Sequence, residues 1–156
     1  MATSSGSNNA WLAVLRIFTG IFWLYHGYGK LTNPEWSAPN GLMVQIVQNM
    51  IKDTSGPYHD FVVNVVLTHV QVVANLVAWG ELLVGVSLLL GLLTIAGGIG
   101  GAFLALQYFI AKGSFMTLAG WTAFDMFTAV VSLVCALAPG ARTFSLDALL
   151  FRGRRR

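Results

Sequence analysis

Residues 70–111 read VQVVANLVAWGELLVGVSLLLGLLTIAGGIGGAFLALQYFIA, and Glu81 is the one charged residue among them. The stretch divides into two apolar runs, Val70 to Leu93 and Ile95 to Ala111. Each run is close to the roughly 20 residues that an α-helix needs to cross the hydrocarbon core of a bilayer. We therefore predict two membrane-spanning helices that form a tight antiparallel hairpin.

The rest of the chain is also strongly apolar. Apolar residues make up 56% of its 156 residues, charged residues make up 10%, and the mean hydropathy of +0.69 lies outside the range usual for soluble proteins. Two further apolar stretches run from Trp11 to Leu31 and from Trp121 to Ala138. The sequence thus predicts an all-α integral membrane protein, a four-helix transmembrane bundle. Its membrane domain, residues 11–151, lies between a polar amino-terminal tail (1–10) and a basic cytoplasmic tail (152–156).

The loop between the first two predicted spans contains an amphipathic segment. Apolar residues recur there at helical spacing, with polar residues between them: Leu42, Met43, Ile46, Val47, Met50 and Ile51. We expect an additional amphipathic helix in this extracytoplasmic loop, interfacial or re-entrant, that ends before Gly56. Because proline is favoured at the first position of a helix, we expect Pro57 to begin a helix that continues without interruption into the second span.

Basic residues set the expected orientation. Arg142 and the arginines of the carboxyl-terminal tail carry most of the positive charge, whereas the long loop carries Glu35, Asp53 and Asp60 against Lys52. The positive-inside rule then places both termini in the cytoplasm. The amino-terminal segment lacks the basic start and the cleavage site of a signal peptide, so we expect its helix to be retained. The arginines are interpreted as a topology signal, and nucleic acid is not an expected partner.

Six polar residues are predicted to lie in the outer half of the bundle. They are His26, Lys30, Glu81, Gln107, Lys112 and Asp125. An ionisable side chain at membrane depth costs at least ~2.5 kcal/mol on insertion scales, so it is expected to face a partner or a cavity. Arg16 lies near the inner end of the first span, from which its side chain can snorkel to the cytoplasmic surface.

Two interpretations of this polar layer stay open. In the first, Glu81 and Asp125 form ion pairs with Lys30 and Lys112 that fix the register of the helices. In the second, the layer lines an outward-opening cavity for a small anion or a quinone headgroup, with Glu81, His26 and Asp125 as the catalytic, proton-transferring residues. The substrate-binding residues of that second interpretation are Lys30, Lys112, Gln107, Trp79 and Arg16.

Aromatic residues mostly fall at predicted membrane interfaces, as amphipathic rings do. Trp36, Tyr58 and Tyr108 belong to this group. Trp23 and Trp79 lie deeper and could form the wall of a flat quinone site, although packing is the commoner role for such side chains.

The sequence predicts no metal site. Cys135 is the only cysteine, so an intrachain disulfide and a thiol pair are excluded. His26 and His69 could in principle ligate a b-type haem, but two histidines form a weak pattern, and a hydrogen-bonded structural histidine is commoner. We therefore do not expect haem.

Three groups of residues resemble the DoxX family of small four-helix membrane proteins. They are Arg16, Gly20, His26, Gly27 and Lys30 in the first span, Glu81, Gly85, Gly91 and Thr94 in the second, and Pro139-Gly140 with Ser145-Leu146-Asp147 near the end. The long outward loop and residues 75–91 are closer to the DoxD-like branch, which is similar to the membrane subunit of thiosulfate:quinone oxidoreductase.

This resemblance implies a membrane subunit of an oxidoreductase system in the cytoplasmic membrane of a prokaryote. The donor implied by the resemblance is thiosulfate or a related sulfur anion, and the implied acceptor is quinone in the membrane. The chain has no flavin, haem or metal signature, so only a diffusible quinone or a cofactor of a partner could accept the electrons. Membrane lipid and either other membrane subunits or further copies of the chain are the expected partners. The alternative is a non-catalytic structural or assembly subunit of a larger respiratory or photosynthetic complex, with residues 97–101 and the loop helix as its contact surfaces.

Overall fold

A computed structural model of the chain describes residues 4–52, 54–112 and 121–150. All regular structure within these ranges is helical, with no β-strand, so the all-α prediction is confirmed. The α-helices are α1 (Ser4–Leu31), α2 (Leu42–Ile51), α3 (Pro57–Phe61), α4 (Val70–Leu90), α5 (Thr94–Ala111), α6 (Trp121–Leu137) and α7 (Leu146–Leu150). A π-helical segment covers Val62–Val66, and a 3₁₀ helix covers Pro139–Arg142.

Two helices among the described residues, α4 and α5, are long and apolar enough to cross a membrane. Helix α4 ends at Leu90 and α5 begins at Thr94, so the predicted tight hairpin is confirmed. Helix α1 begins at Ser4, earlier than the apolar run that starts at Trp11, so the polar residues just before Trp11 are helical as well.

The turn between α4 and α5 depends on a glycine. Gly91 has φ +66° and Leu93 has φ +53°, both in the left-handed region. A Cβ added to Gly91 would collide with the guanidinium of Arg16 and with Ser145, so this position requires glycine for its space as well as for its backbone conformation. The two helices can therefore reverse direction within three residues.

The four long helices pack as two close pairs, α1 against α4 and α5 against α6, and α4 also packs against α5. Glycines permit the approach of α1 to α4. A Cβ added to Gly20 would lie 2.8 Å from the Cα of Leu89, and one added to Gly85 would lie 2.6 Å from the Cα of Leu24. Small residues at a helix contact let two backbones come this close.

The glycines near the start of α5 pack against other helices of the same chain. A Cβ added to Gly98 would lie 2.6 Å from the carbonyl oxygen of Ser132 in α6, and one added to Gly101 would lie 2.9 Å from the indole nitrogen of Trp23 in α1. The prediction that residues 97–101 form a contact surface for partner subunits is therefore wrong for these buried glycines, because α6 and α1 already cover them.

Helix α2 buries one face against the rest of the chain. Met43, Val47 and Ile51 are buried at successive turns and belong to a core cluster that includes residues of α4. Trp36, which precedes α2, is buried in the same cluster, and its indole N–H donates a 2.9 Å hydrogen bond to the carbonyl oxygen of Ala74. The loop between α1 and α4 is thus anchored to α4.

The connection from α3 to α4 is not a continuous α-helix. Pro57 occupies the first turn of α3, as predicted. The following π-helical segment contains a 2.9 Å hydrogen bond from the N–H of Leu67 to the carbonyl oxygen of Val62, and His69 then has φ −115° and ψ 35°. The prediction of an uninterrupted helix is wrong, because this wider turn and His69 break the regular α-helical hydrogen bonding.

The carboxyl-terminal segment folds back onto α1 and onto the α4–α5 turn. Arg16 is 0% exposed and donates a 3.0 Å hydrogen bond from Nη2 to the carbonyl oxygen of Phe144. The prediction that Arg16 snorkels to the surface is wrong, because this segment covers it. Asp147 accepts hydrogen bonds of 2.8 Å from the N–H groups of both Leu93 and Thr94, at the start of α5.

Candidate functional site

A cavity of about 160 Å³ lies among residues of α1, α4, α5 and α6. Five of the six residues of the predicted polar layer line it: His26, Lys30, Glu81, Lys112 and Asp125. Four helices that are separate in sequence thus bring their ionisable residues to one place. A volume of this size has room for several water molecules.

Glu81 is the centre of the strongest polar cluster. Its side chain is 1% exposed, and its Oε1 atom forms an ion pair with the Nζ of Lys30. The hydroxyl of Tyr108 also donates to Glu81 Oε1, at 2.7 Å, while Lys30 Nζ donates to the Tyr108 oxygen at 2.9 Å. These three side chains form a closed triangle of hydrogen bonds that fixes the orientation of the carboxylate.

The second oxygen of Glu81 has a different environment. Oε2 is buried and has no hydrogen-bond partner among the residues that the structure describes. A buried acceptor without a donor is costly, and more so when it carries charge. This oxygen therefore has unused hydrogen-bonding capacity in a residue that lines the cavity.

Two aromatic rings hold Lys30 in place. Its Nζ lies 4.9 Å from the centroid of the Trp36 ring and 5.1 Å from that of the Tyr108 ring. Both distances fall within the range of a cation–π interaction. The ammonium is thus stabilised by a carboxylate, a hydroxyl and two ring faces, in a side chain that is only 17% exposed.

A second ion pair lines the same cavity. Lys112, at the carboxyl end of α5, pairs with Asp125 near the start of α6, and both side chains are largely buried. Together with Lys30 and Glu81, these residues form the two ion pairs that the first interpretation of the polar layer predicted. That pairing is confirmed.

Aromatic side chains complete the wall of the cavity. Phe22 lies between the ring of His26, at a centroid distance of 4.5 Å, and the ring of Phe124, at 5.5 Å. Trp23 is buried, and its indole N–H donates a 3.1 Å hydrogen bond to Ser132. The cavity therefore combines flat apolar surfaces with four charged groups.

Three of the predicted substrate-binding residues do not line the cavity. Gln107 lies one residue before Tyr108 but accepts a 3.3 Å hydrogen bond from Tyr58. Trp79 is 53% exposed on the outer surface of α4, so it does not face the ring site for which it was considered. Arg16 is buried beside the carboxyl-terminal segment, away from this cluster.

The histidines considered for haem are in different surroundings. The Nδ1 of His69 lies 3.0 Å from the carbonyl oxygen of Val65, within its own helical segment, and His69 is not part of the cavity wall. Among the described residues, no group of three or more His, Cys, Asp or Glu side chains is arranged to hold a metal ion.

Tyr108 lines the cavity and belongs to the Glu81 cluster, although the sequence did not place it in the polar layer. It was placed with the interfacial aromatics, yet its hydroxyl connects Lys30 to Glu81. Its spacing contained a usable signal, because Tyr108 and Lys112 are four residues apart in α5 and so lie on the same face of that helix.

These features define a class: an all-helical protein with apolar helices able to cross a membrane and with paired charges buried around a small cavity. Residues 11–155 match the family model described as TQO small subunit DoxD. The match covers nearly the whole sequence, so the chain belongs to the DoxD family, and the predicted resemblance is confirmed. It is a membrane protein by family and by the apolar helices α4 and α5. Neither a curated protein nor a solved structure matches it.

Proposed function

We propose that this chain is a membrane subunit of a quinone-linked oxidoreductase of the thiosulfate:quinone type. In this proposal α1, α4, α5 and α6 cross the cytoplasmic membrane as a four-helix bundle, with α2 in the extracytoplasmic loop. The observation that carries the proposal is Glu81, a carboxylate that is 1% exposed and lines a cavity in an apolar helix. Carboxylates at membrane depth are typical of proton relays and ligand sites.

The distribution of charge supports one orientation. Lys30 and Lys112, which both line the cavity, stand at the carboxyl ends of α1 and α5. Helix α6 runs antiparallel to α5, so Arg142, which follows α6, lies at the opposite end of the bundle. The sequence ends in four further arginines. By the positive-inside rule the arginine end faces the cytoplasm, and the cavity then lies toward the outer side. In this proposal quinone reaches the cavity from the bilayer.

The cavity suits the proton chemistry of quinone reduction. One quinone takes up two electrons and two protons to become a hydroquinone, and two thiosulfate ions that join through a new S–S bond release two electrons. Glu81 exchanges a proton with the quinone oxygen. Tyr108 and Lys30 hold the Oε1 atom of Glu81 in position. His26 and Asp125, in the same wall, relay protons between Glu81 and the outer side.

The size of the cavity limits what it can hold. Its volume of about 160 Å³ is smaller than the roughly 300–1,000 Å³ of pockets that enclose drug-sized ligands. A quinone headgroup or a small anion fits this volume, and an isoprenoid tail would remain in the bilayer. Phe22, Trp23 and Phe124 offer aromatic surface to a ring.

The test is thiosulfate-dependent quinone reduction in membranes that contain the chain with its co-purifying subunits. Glu81→Gln is expected to lower the rate at least ~100-fold, the smaller end of what a general acid–base group contributes. Glu35→Gln makes the same chemical change at an exposed position before α2 and is expected to leave the rate unchanged. Full activity of Glu81→Gln would contradict the proposal.

A structural or assembly subunit is the second candidate, and the two ion pairs favour it. Each lysine of the cavity is matched to a carboxylate, as in a buried pair that specifies helix register. With the glycine run covered, an exposed stripe of α4 would contact partners or lipid: Val72, Leu76, Trp79 and Leu83. Under this candidate Glu81→Gln prevents accumulation of the complex instead of slowing turnover.

A further inference from the structure

We infer that the groove between the start of α5 and the segment after α6 binds one anionic phospholipid, with its phosphate at Arg142 and an acyl chain along Ile95 and Ile99. The groove lies beside the α4–α5 turn, at the opposite end of the bundle from Lys30 and Lys112. This lipid site needs no oxidoreductase activity, so it stands apart from the proposed function.

One side of the groove is apolar. Leu93, Ile95 and Ile99 line it, and all three side chains are exposed. Ile95 and Ile99 are four residues apart, so they lie on one face of α5, about 6 Å apart along its axis. Because α5 is long and apolar enough to cross a membrane, this face leads from the helix end toward the bilayer core.

The other side of the groove is polar. Arg142 and Thr143 follow α6, and Asp147 belongs to α7. Both carboxylate oxygens of Asp147 already accept hydrogen bonds from the N–H groups of Leu93 and Thr94. Arg142 forms no ion pair with a residue that the structure describes. Its guanidinium is therefore available to an anionic group in the groove, and guanidinium groups bind phosphate well.

Positive charge exceeds negative charge at this end of the chain. Within residues 139–156, Asp147 is the one acidic residue, against five arginines: Arg142, Arg152, Arg154, Arg155 and Arg156. Ala148 lines the groove, and Arg152 follows four residues later, so their Cα atoms lie at most about 14 Å apart. Basic clusters next to membrane-spanning helices attract anionic lipid headgroups.

An amphiphile uses both sides of the groove, whereas a free anion uses one. Soluble phosphate would meet Arg142 and leave the apolar face of α5 uncovered. A phospholipid places its phosphate at Arg142 and covers Ile95 and Ile99 with an acyl chain. The volume of the groove, about 790 Å³, lies within the roughly 300–1,000 Å³ of small-molecule sites and accommodates a headgroup with the first part of a chain.

The experiment measures lipid binding to the purified full chain in a neutral detergent by native mass spectrometry. The probes are dioleoyl phosphatidylglycerol, dioleoyl phosphatidylcholine, which has the same acyl chains and no net charge, and glycerol 3-phosphate, which has the phosphate and no chains. We expect phosphatidylglycerol to bind at least ~10-fold more tightly than phosphatidylcholine, because it alone of the two lipids carries net negative charge. Glycerol 3-phosphate is expected not to displace it.

One pair of variants tests the charge. Arg142→Gln is expected to weaken the binding of phosphatidylglycerol at least ~5-fold, through loss of the charge-assisted contact to phosphate. Lys52→Gln removes an exposed positive charge at the end of α2, outside the groove, and is expected to leave the binding unchanged.

A second pair tests the groove without changing charge. Ala96 is exposed and lines the groove, so Ala96→Trp obstructs its apolar side and is expected to weaken the binding of phosphatidylglycerol. Leu106→Trp, at an exposed position of α5 outside the groove, is expected to have no effect.

Each alternative has its own outcome. Equal binding of the two lipids, or wild-type binding by Arg142→Gln, would overturn the inference. Unchanged binding by Ala96→Trp would show that the arginines attract anionic lipid without the groove, which also refutes it. Displacement of phosphatidylglycerol by glycerol 3-phosphate would assign the site to a soluble phosphate compound instead of a lipid.

Discussion

Glu81 Oε1 forms an ion pair with Lys30 Nζ, although the two residues lie 51 positions apart in the sequence. The pair joins the carboxyl end of α1 to the middle of α4, the two helices that also approach most closely through glycines. Removing either partner leaves the other charged group buried and uncompensated.

The first prediction concerns this pair. Lys30→Met is expected to destabilise the protein by about 3–5 kcal/mol, the usual cost of breaking a buried ion pair. The double variant Lys30→Met/Glu81→Leu is expected to recover most of that loss, because it removes both charges and leaves apolar side chains in their place. Unfolding by denaturant in detergent measures both. A double variant whose loss equals the sum of the losses measured for Lys30→Met and for Glu81→Leu alone would argue against the pairing.

The second prediction concerns acid stability at Asp147. Burial alone would raise the pKa of this carboxyl group, but hydrogen bonds from Thr94 and Leu93, together with the charge of Arg142, outweigh it and hold the pKa below its ordinary value of 3.8. A lowered pKa in the folded state stabilises the protein at pH values above 3.8, and this contribution is lost as the pH falls through the folded-state pKa.

Asp147→Asn is therefore expected to lower stability at neutral pH by about 1 kcal/mol, because solvent screens this partly exposed carboxylate and the amide keeps one acceptor oxygen. The difference from the wild type should shrink as the pH falls below 3.8. Asp60→Asn, at a residue whose side chain is 72% exposed, is the matched control and should change little. Thermal unfolding followed across this pH range checks both variants, and a difference that is constant with pH would count against the capping role.

The third prediction tests the contact between α5 and α6. A Cβ added to Gly98 would lie 2.6 Å from the carbonyl oxygen of Ser132 and 2.8 Å from the Cβ of Ala136, so Gly98→Ala is expected to cost about 1–3 kcal/mol through overpacking. Gly29→Ala is the control, since a Cβ there would meet no atom within 4 Å and alanine favours the helix. Comparable unfolding temperatures for the two variants in detergent would be incompatible with the packing described.

The fourth prediction isolates the role of Arg16 beside the α4–α5 turn. Gly91 and Gly56 both have positive φ, +66° and +97°, but only a Cβ at Gly91 would collide with a neighbour, the Arg16 guanidinium. Gly56 has ψ −173°, in a region open essentially to glycine alone, whereas Gly91 has ψ 37°, in the left-handed helical region that costs alanine less. Gly91→Ala is nevertheless expected to destabilise the protein at least as much as Gly56→Ala, because only the first displaces a buried cation. Thermal unfolding in detergent compares the two variants, and a loss of stability for Gly91→Ala clearly smaller than that for Gly56→Ala would refute the clash.

Much of the helical framework could be predicted from the apolar runs alone. The turn between Leu90 and Thr94 follows from two adjacent runs that leave almost no residues for a loop. The ion pairs were also predictable, because an apolar bundle offers few partners to Glu81 and Asp125, and both lysines lie at the same end.

Helix rotation explains what the sequence analysis placed wrongly. Trp79 and Glu81 lie two residues apart in α4, which separates them by about 200° around the helix axis, so a buried Glu81 implies an outward Trp79. The length of an apolar run and the expected depth of a residue in the membrane do not determine how the helix is rotated about its axis. The break at His69 was missed for a related reason, since the apolar residues on either side continue across it without a change in pattern.

The contact between Asp147 and Thr94 also bears on the order of assembly during synthesis. The two residues are 53 positions apart, so the ribosome completes the α4–α5 hairpin well before the carboxylate that caps it emerges. Until then the first N–H groups of α5 depend on water or lipid headgroups. The hydrogen bonds from Leu93 and Thr94 to Asp147 therefore form late, after the hairpin has been made. A chain truncated before Asp147 would lack this cap at the start of α5.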